Sequence, residues 1–202
     1  MLAHEVRSPV AALAAIAEAY PTADAATKQR LLDLATAAVE NLERLFADIA
    51  PASLRLERLD AGLLVIEAVE TAALSVPHPV VAVEEGLVVD GDPVRLRQAL
   101  DNLIANAVGH SPPGGTVTVT AGREGGSVVI AVADTGDGIA SDDLARVFEP
   151  GVRLTAARPG SGIGLTIVRA IAQAHGGEVE VDSSPGQGTT FRLVLPGASG
   201  AG

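Results

Sequence analysis

The first fifty residues contain no glycine, and all 22 glycines of the chain lie at Gly62 or beyond. A stretch of that length, with prolines only at Pro9 and Pro21, holds little else that breaks a helix. At the helical repeat, Leu2, Val6, Val10, Leu13, Ala17 and Tyr20 fall within about 80° of one another, an amphipathic stripe. Tyr20 to Asp24 interrupts it, with Pro21 as terminator and Thr22 or Asp24 as the cap of a second helix. That helix carries Leu31, Ala35, Ala38, Leu42, Leu45, Phe46 and Ile49 on one face and ends near Pro51. Two such stripes cannot cover each other completely. A helical hairpin that dimerises into a four-helix bundle is the expected solution.

From about residue 54 the texture changes, and short apolar runs alternate with helical spacing between glycine-rich turns. The pattern predicts a strand over Leu54–Leu59, a helix capped by Asp60 and running to about Leu74, mixed strand over Val80–Val89, and a helix over Pro93–Val108. Thr116–Thr120 and Ser127–Ala133 read as a hairpin joined by Arg123-Glu124-Gly125-Gly126. A helix over 162–174 follows, then Glu178–Val181 paired with Thr190–Leu195 across Pro185-Gly186-Gln187-Gly188. The fold class is therefore α+β, a helical hairpin over 1–52 followed by an α/β sandwich over 53–197. The small residues from Gly197 on are expected to be disordered, 198–202 as the tail. Hydrophobic residues make up 48% of the chain and aromatics 2%, so the core must be built from Ala, Val, Leu and Ile.

Charge and composition exclude several functions. With 25 acidic against 14 basic residues the net charge is −11, which argues against nucleic acid or an anionic membrane as partner. The absence of cysteine removes disulfides, thiolate catalysis and cysteine-based zinc sites. No run of about 18 apolar residues is present, and the start does not read as a secretory signal. A cytoplasmic location is expected.

Four strings carry candidate chemistry. His4 lies opposite the apolar stripe, with Glu5 adjacent, Ser8 one turn on, and Ala11 and Ala15 continuing an unobstructed track. A neighbouring carboxylate can fix an imidazole tautomer and raise its basicity. An exposed histidine is more often inert, but Pro9 inside this helix costs about 3 kcal/mol and needs a reason. Asn102 and Asn106, at i and i+4, share a face apart from the buried stripe of Leu96, Leu100, Leu103 and Ala107. Two stacked amide oxygens suit a hard cation already bound to phosphate, although by themselves two such asparagines are more often simply solvated. Asp134-Thr135-Gly136-Asp137-Gly138 ends an apolar strand, where a carboxylate can accept from an exocyclic amine and the glycines admit a flat ligand; a plain Asp-Gly turn is the alternative. Gly160-Ser161-Gly162-Ile163-Gly164-Leu165 opens a helix, a place that favours phosphate. Gly186-Gln187-Gly188-Thr189 reads as a hairpin turn or a ligand loop.

Taken in order with Phe148-Glu149-Pro150, these strings strongly resemble the catalytic core of the sensor histidine kinases of two-component systems, over nearly the whole chain to about Leu195. The resemblance implies a dimerisation and phosphotransfer hairpin followed by a GHKL (Bergerat-type) ATP-binding sandwich. It implies His4 as phosphoacceptor, Glu5 as its base or orienting partner, and Ser8 as a residue supporting dephosphorylation of the partner. Asn106 would be the main Mg²⁺ ligand with Asn102 assisting, His110 a neighbour of the phosphates, and Asp134 the adenine-binding carboxylate. Gly136, Gly138, Gly160, Gly162, Gly164, Leu165 and Thr189 would line the ATP, under a mobile lid over Phe148–Ser161 whose Arg153 meets phosphate. The implied partners are a response-regulator receiver domain and a second copy of the chain. Gly109 departs from the family, which commonly has Lys there. Only three residues precede His4, so the chain is expected to be a piece of a longer protein whose sensor and membrane parts lie outside it. Two rivals remain at this point: a catalytically weak scaffold or phosphatase for a receiver, and a non-kinase GHKL ATPase.

Overall fold

The computed structural model describes residues 2–49, 54–73, 79–149, 152 and 163–198, with side chains of the first fifty described at 9 and 11–39. The N-terminal region is two helices, α1 (Leu2–Ala19) and α2 (Ala25–Ile49), joined by a short 3₁₀ turn at Tyr20–Thr22. Asp24 caps α2, its carboxylate accepting from Thr27 N at 2.8 Å. Thr27's amide and hydroxyl hold that carboxyl below its ordinary value. Pro9 sits within α1 and is buried. The described inward positions of α1 are Pro9, Leu13 and Ile16, whereas Ala17 and Tyr20 of the expected stripe are exposed. The face is thus turned relative to the sequence expectation. Tyr20 lies in the turn with the Lys28 ammonium 5.5 Å above its ring, a contact that keeps it at the surface. On α2, Leu31, Ala35 and Ala38 are turned inward as expected.

The remainder is a mixed sheet under three helices. The elements are β1 (Glu57–Asp60), α3 (Ala61–Ala73), β2 (Val80–Val83), β3 (Val88–Gly91), α4 (Pro93–His110), β4 (Val117–Glu124), β5 (Ser127–Asp134), a short α5 (Ser141–Leu144), α6 (Gly164–Ala174), β6 (Glu178–Ser183) and β7 (Thr189–Pro196). The main sheet has the order β2-β4-β5-β7-β6, with β2 parallel to β4 and every other pair antiparallel. β1 and β3 form a separate antiparallel ribbon. One face of the sheet meets α3, α4 and α6. Period-two alternation decides that face: Val117, Val119 and Ala121, then Val128, Ile130 and Val132, then Phe191, Leu193 and Leu195, are all buried. They meet Leu96, Leu100, Leu103 and Ala107 of α4 and Ile167, Val168 and Ile171 of α6 in one core. On the other face Arg192 bridges Glu124 at 2.6 Å and Glu180 at 3.1 Å.

Several boundaries differ from the sequence reading. Val80–Val89 is not one strand but β2 and β3, which belong to different sheets and flank a turn at Gly86 with φ of +71°. Arg123 and Glu124 are ladder residues, and only Gly125-Gly126 forms the turn, because two residues suffice for a tight hairpin. Gly197 and Ala198 are not disordered: their amides donate to Gly126 O and Val88 O, each at 2.9 Å, which ties the end of β7 to β3. Residues 199–202 lie outside the described set.

Candidate active site

The candidate site is built where the C-terminal half of α4, the start of α6, the end of β5 and the β6–β7 turn converge. The chain enters α4 through a strong start signal. Asp92 caps it, accepting from Val94 N and Arg95 N at 3.1 Å each, and Pro93 occupies the first turn, where its missing N–H costs nothing. From there the helical repeat buries Leu96, Leu100, Leu103 and Ala107 and turns Asn102 and Asn106, both half-buried, to another face. Neither asparagine makes a side-chain hydrogen bond to the described residues. The Asn102 Nδ2 is moreover shielded from solvent, a donor with no acceptor. A lone buried donor costs about 1–3 kcal/mol unless a bound group accepts from it.

The start of α6 lies beside that asparagine. A Cβ on Gly164 would fall 3.6 Å from Asn102 Oδ1, so the two helices are in close approach there. Ile163, the N-cap residue, has no side chain able to accept, and the positive end of the helix dipole lies at this point. Leu165 is half-buried and packs against the core.

Asp134 is the last residue of β5, in register with Val117 and Thr189, and only 6% exposed. Its Oδ1 accepts from Gly136 N at 2.8 Å, an Asx turn that fixes the carboxylate. The sequence reading gave Gly136 and Gly138 to the ligand. The structure packs protein against the Cβ side of each. A Cβ on Gly136 would lie 2.4 Å from His110 O, and one on Gly138, at φ of +70°, would lie 2.0 Å from Ser184 O. Gly188 repeats the theme, at φ of +81° with a would-be Cβ 1.9 Å from Asp134 O. Three glycines thus let the 134–138 loop sit against the end of α4 on one side and the β6–β7 turn on the other.

Thr189 is buried, with Oγ1 2.9 Å from Ser183 Oγ. Ser183 gives its one proton to Gly188 O at 2.7 Å and accepts from Ile139 N at 2.9 Å, so Thr189 donates to it. Ser183 is a residue the sequence gave no reason to single out; its signal, a hydroxyl at a strand end opposite a Gly-x-Gly turn, is common. His110 is exposed at the end of α4. Phe148 is the first residue of the expected lid, most of which lies outside the described residues. Its ring meets Phe191 edge-on at 6.1 Å, and its carbonyl accepts from Thr166 Oγ1 at 3.2 Å, which places it beside α6.

Arg153, Gly160 and Gly162 lie outside the described residues. His4, Glu5 and Ser8 are within α1 by backbone, and their side chains lie outside the described set; Ala11 and Ala15, which continue their line, are exposed. Among the described residues no cluster of His, Asp and Glu resembles a metal site, and no helix is long and apolar enough to cross a membrane. The amide oxygens of Asn102 and Asn106 are hard donors of the kind that suits Mg²⁺ carried in by phosphates and water. Asn102 and Asn106 are the residues that would hold it.

Sequence reasoning also missed a buried pair at the other end of α4. His175, 9% exposed, accepts from Asp92 N through Nε2 at 2.9 Å, and its Nδ1 faces Ile171 O at 2.7 Å. Both contacts are satisfied only by the neutral ring protonated at Nδ1. Burial pushes the Asp92 carboxyl up, but the amides of Arg55, Arg95 and Val94 and the charge of Arg95 together outweigh it and leave the group below its ordinary value.

The chain is similar to known proteins in sequence and in fold. Residues 91–199 match the family described as histidine kinase-, DNA gyrase B-, and HSP90-like ATPase. The sensor-like histidine kinase SenX3 of Mycobacterium tuberculosis is 36% identical over 214 residues, an alignment that covers 96% of this chain and 52% of that protein. The adaptive-response sensory kinase SasA of Synechococcus elongatus is 34% identical, covering 97% of this chain and 57% of its own. The chain spans about half the length of these curated relatives. Among solved structures, the mycobacterial sensor histidine kinase MprB superposes with a TM-score of 0.64 at 32% identity, over 70% of this chain and 98% of its own. Full-length ShkA in complex with AMPPNP gives 0.75 at 30% identity, over 100% of this chain and 46% of its own.

Proposed function

For a chain that belongs to the family of histidine kinase-, DNA gyrase B- and HSP90-like ATPases, with sensor histidine kinases as its relatives, we propose the role of a kinase core that transfers the γ-phosphoryl of ATP to His4 and then to an aspartate of a response-regulator receiver. The observation that carries this reading is Asn102, whose buried amide has an unused donor beside the start of α6, with Asn106 one turn on. Asp134 recognises an exocyclic amine of the adenine type, through a carboxylate already oriented by Gly136 N. Thr189 and Ser183 hold the turn behind it. The helix dipole of α6 and the Asn102 Nδ2 favour phosphate oxygens, as would Arg153, Gly160 and Gly162. Mg²⁺, when bound through Asn106 and Asn102, supplies charge neutralisation on the phosphates.

In the transfer a nitrogen–phosphorus bond forms at the His4 imidazole as the bond to the β-phosphate oxygen breaks, and ADP leaves. Glu5 takes or orients the ring proton. The second transfer moves the phosphoryl to a carboxylate oxygen of the receiver and regenerates the imidazole, with Ser8 supporting the separate attack of water on the receiver's acyl phosphate, which releases inorganic phosphate and restores the carboxylate. Such chemistry is mostly positioning and charge stabilisation, which suits a nucleotide site and an acceptor on separate units, 1–52 and 53–197. Leu32 and Val39, seven residues apart on α2 and 47% and 41% exposed, offer the apolar line that a second hairpin would cover in a homodimer.

The test is incubation with γ-labelled ATP. The parent chain takes up acid-labile label, and His4→Gln takes up none while binding a non-hydrolysable analogue with unchanged affinity. Label on the His4→Gln chain would refute the acceptor assignment, and absence of analogue binding by the parent chain would refute the site.

A further inference from the structure

We infer that Asp92 is a positioning residue for phosphoryl transfer, because its carboxylate fastens the chain entering the sandwich to the helix that carries Asn102 and Asn106. The inference rests on the kinase reading above and names a device within it.

A helix cap needs one carboxylate oxygen, and Asp92 Oδ1 meets that need at Val94 and Arg95. Its Oδ2 is used elsewhere. It accepts from Arg55 N at 3.0 Å, across 37 residues of sequence. Arg55 lies two residues before β1, whose first ladder pair is Glu57 with Gly91. The Arg55 side chain is exposed, so only its backbone is held. The backbone amide of Asp92 is in turn held by His175, and His175 by the last turns of α6. Gly91 permits this closeness: a Cβ there would fall 2.5 Å from Leu96 Cδ1 and 3.3 Å from His175 Cδ2. One buried residue thus joins the entry strand, the start of α4 and the end of α6.

Those two helices reach the candidate site away from this junction, α6 at its start, Gly164, and α4 at its middle, Asn102, about 15 Å along the helix from Asp92. Asp92 therefore touches no nucleotide. What it controls is the place from which the hairpin bearing His4 is tethered relative to α4. Transfer between units is sensitive to that place, since a misplacement of about 1 Å can lower a rate on the order of 100-fold. Any hinge between the units must act upstream of Arg55.

Asp92→Asn separates the two jobs. Asparagine caps as well as aspartate, but with Oδ1 kept at the cap its amide nitrogen faces the Arg55 N–H, donor against donor. Arg55→Pro deletes the same hydrogen bond from the other end and leaves Asp92 intact. In each variant of the full chain we expect kcat for His4 labelling to fall at least about tenfold, with KM for ATP and analogue binding unchanged. In Asp92→Asn the Arg55 amide should also exchange with solvent at least about tenfold faster by NMR. The double variant should lose no more than the single ones. Unchanged kcat in both variants, or loss of labelling and analogue binding in equal proportion, overturns the inference. Unchanged Arg55 exchange in Asp92→Asn overturns the fastening and leaves the kinase reading standing. A parent chain that binds analogue yet never labels His4 overturns the kinase reading and the inference with it.

Discussion

Two glycines of one turn make a controlled experiment. Gly186 and Gly188 both lie between β6 and β7 with nearly the same φ, +77° and +81°. An alanine at either position meets left-handed strain of about 1–2 kcal/mol, reduced by about 0.4–1 kcal/mol because alanine also narrows the unfolded ensemble. They differ in space. Around a Cβ at Gly186 nothing lies within 4 Å, whereas at Gly188 it would lie 1.9 Å from Asp134 O. That carbonyl must retreat by about 1.5 Å to reach ordinary contact, and it belongs to a ladder residue that pairs with both Val117 and Thr189. Overpacking of this kind adds about 1–3 kcal/mol.

Gly186→Ala should therefore cost about 1 kcal/mol and Gly188→Ala about 2–4 kcal/mol. At about 2–4 °C per kcal/mol for a chain of this size, the second variant should melt several degrees below the first. Because the displaced carbonyl is that of Asp134, Gly188→Ala should also weaken binding of an ATP analogue by calorimetry, while Gly186→Ala leaves it unchanged. Thermal melts and titrations on the two proteins decide the matter. Equal losses in both would show that backbone strain alone sets the requirement for glycine, and that the close approach of the turn to the end of β5 carries no weight.

Other outcomes follow from the same geometry. Asp134→Asn keeps the oxygen that accepts from Gly136 N but removes the charge, and should lower adenine-nucleotide affinity by about 10-fold or more at unchanged circular dichroism. Gly109→Lys enters open space on α4, where no atom lies within 4 Å of a would-be Cβ, and should raise melting temperature through helix propensity of about 0.7 kcal/mol. It should also tighten analogue binding if this position faces the triphosphate, and unchanged affinity would refute that placement. The Asp92 carboxyl lies below its ordinary value of 3.8, so its stabilising effect is complete above that value and is lost as pH falls through the folded value. Urea melts from about pH 5 downward should show the parent chain losing its advantage over Asp92→Ala, and a constant difference would contradict the assignment.

The large elements were legible because their causes are local. The Asp92-Pro93 start and the spacing of Leu96, Leu100, Leu103 and Ala107 dictate α4 from adjacent residues. The alternation in Val128, Ile130 and Val132 dictates the inward face of β5. Asp60 reads as a cap, as does Asp24 alongside Thr22, and both aspartates accept amides that follow them. Asn102, Asn106 and Asp134 were legible as a type of chemistry, since the helical repeat alone puts the two asparagines on one face.

What escaped the sequence was what each residue is held by. Gly136 and Gly138 read as openings for a ligand, and nothing in their loop tells of the carbonyls of His110 and Ser184 that stand where a Cβ would go. No pattern within either loop announces a neighbour some 25 to 50 positions away. The same holds for Asp92, which reads as a complete cap from its own segment. Only the fold brings Arg55 from upstream and His175 from far downstream to the same carboxylate and its amide. A motif thus states which group the chemistry needs, and the contacts that fix its position come from segments the motif does not contain. Substitutions at Ser183, His175 and Arg55 are therefore the ones expected to change how the site works while leaving every recognisable string intact.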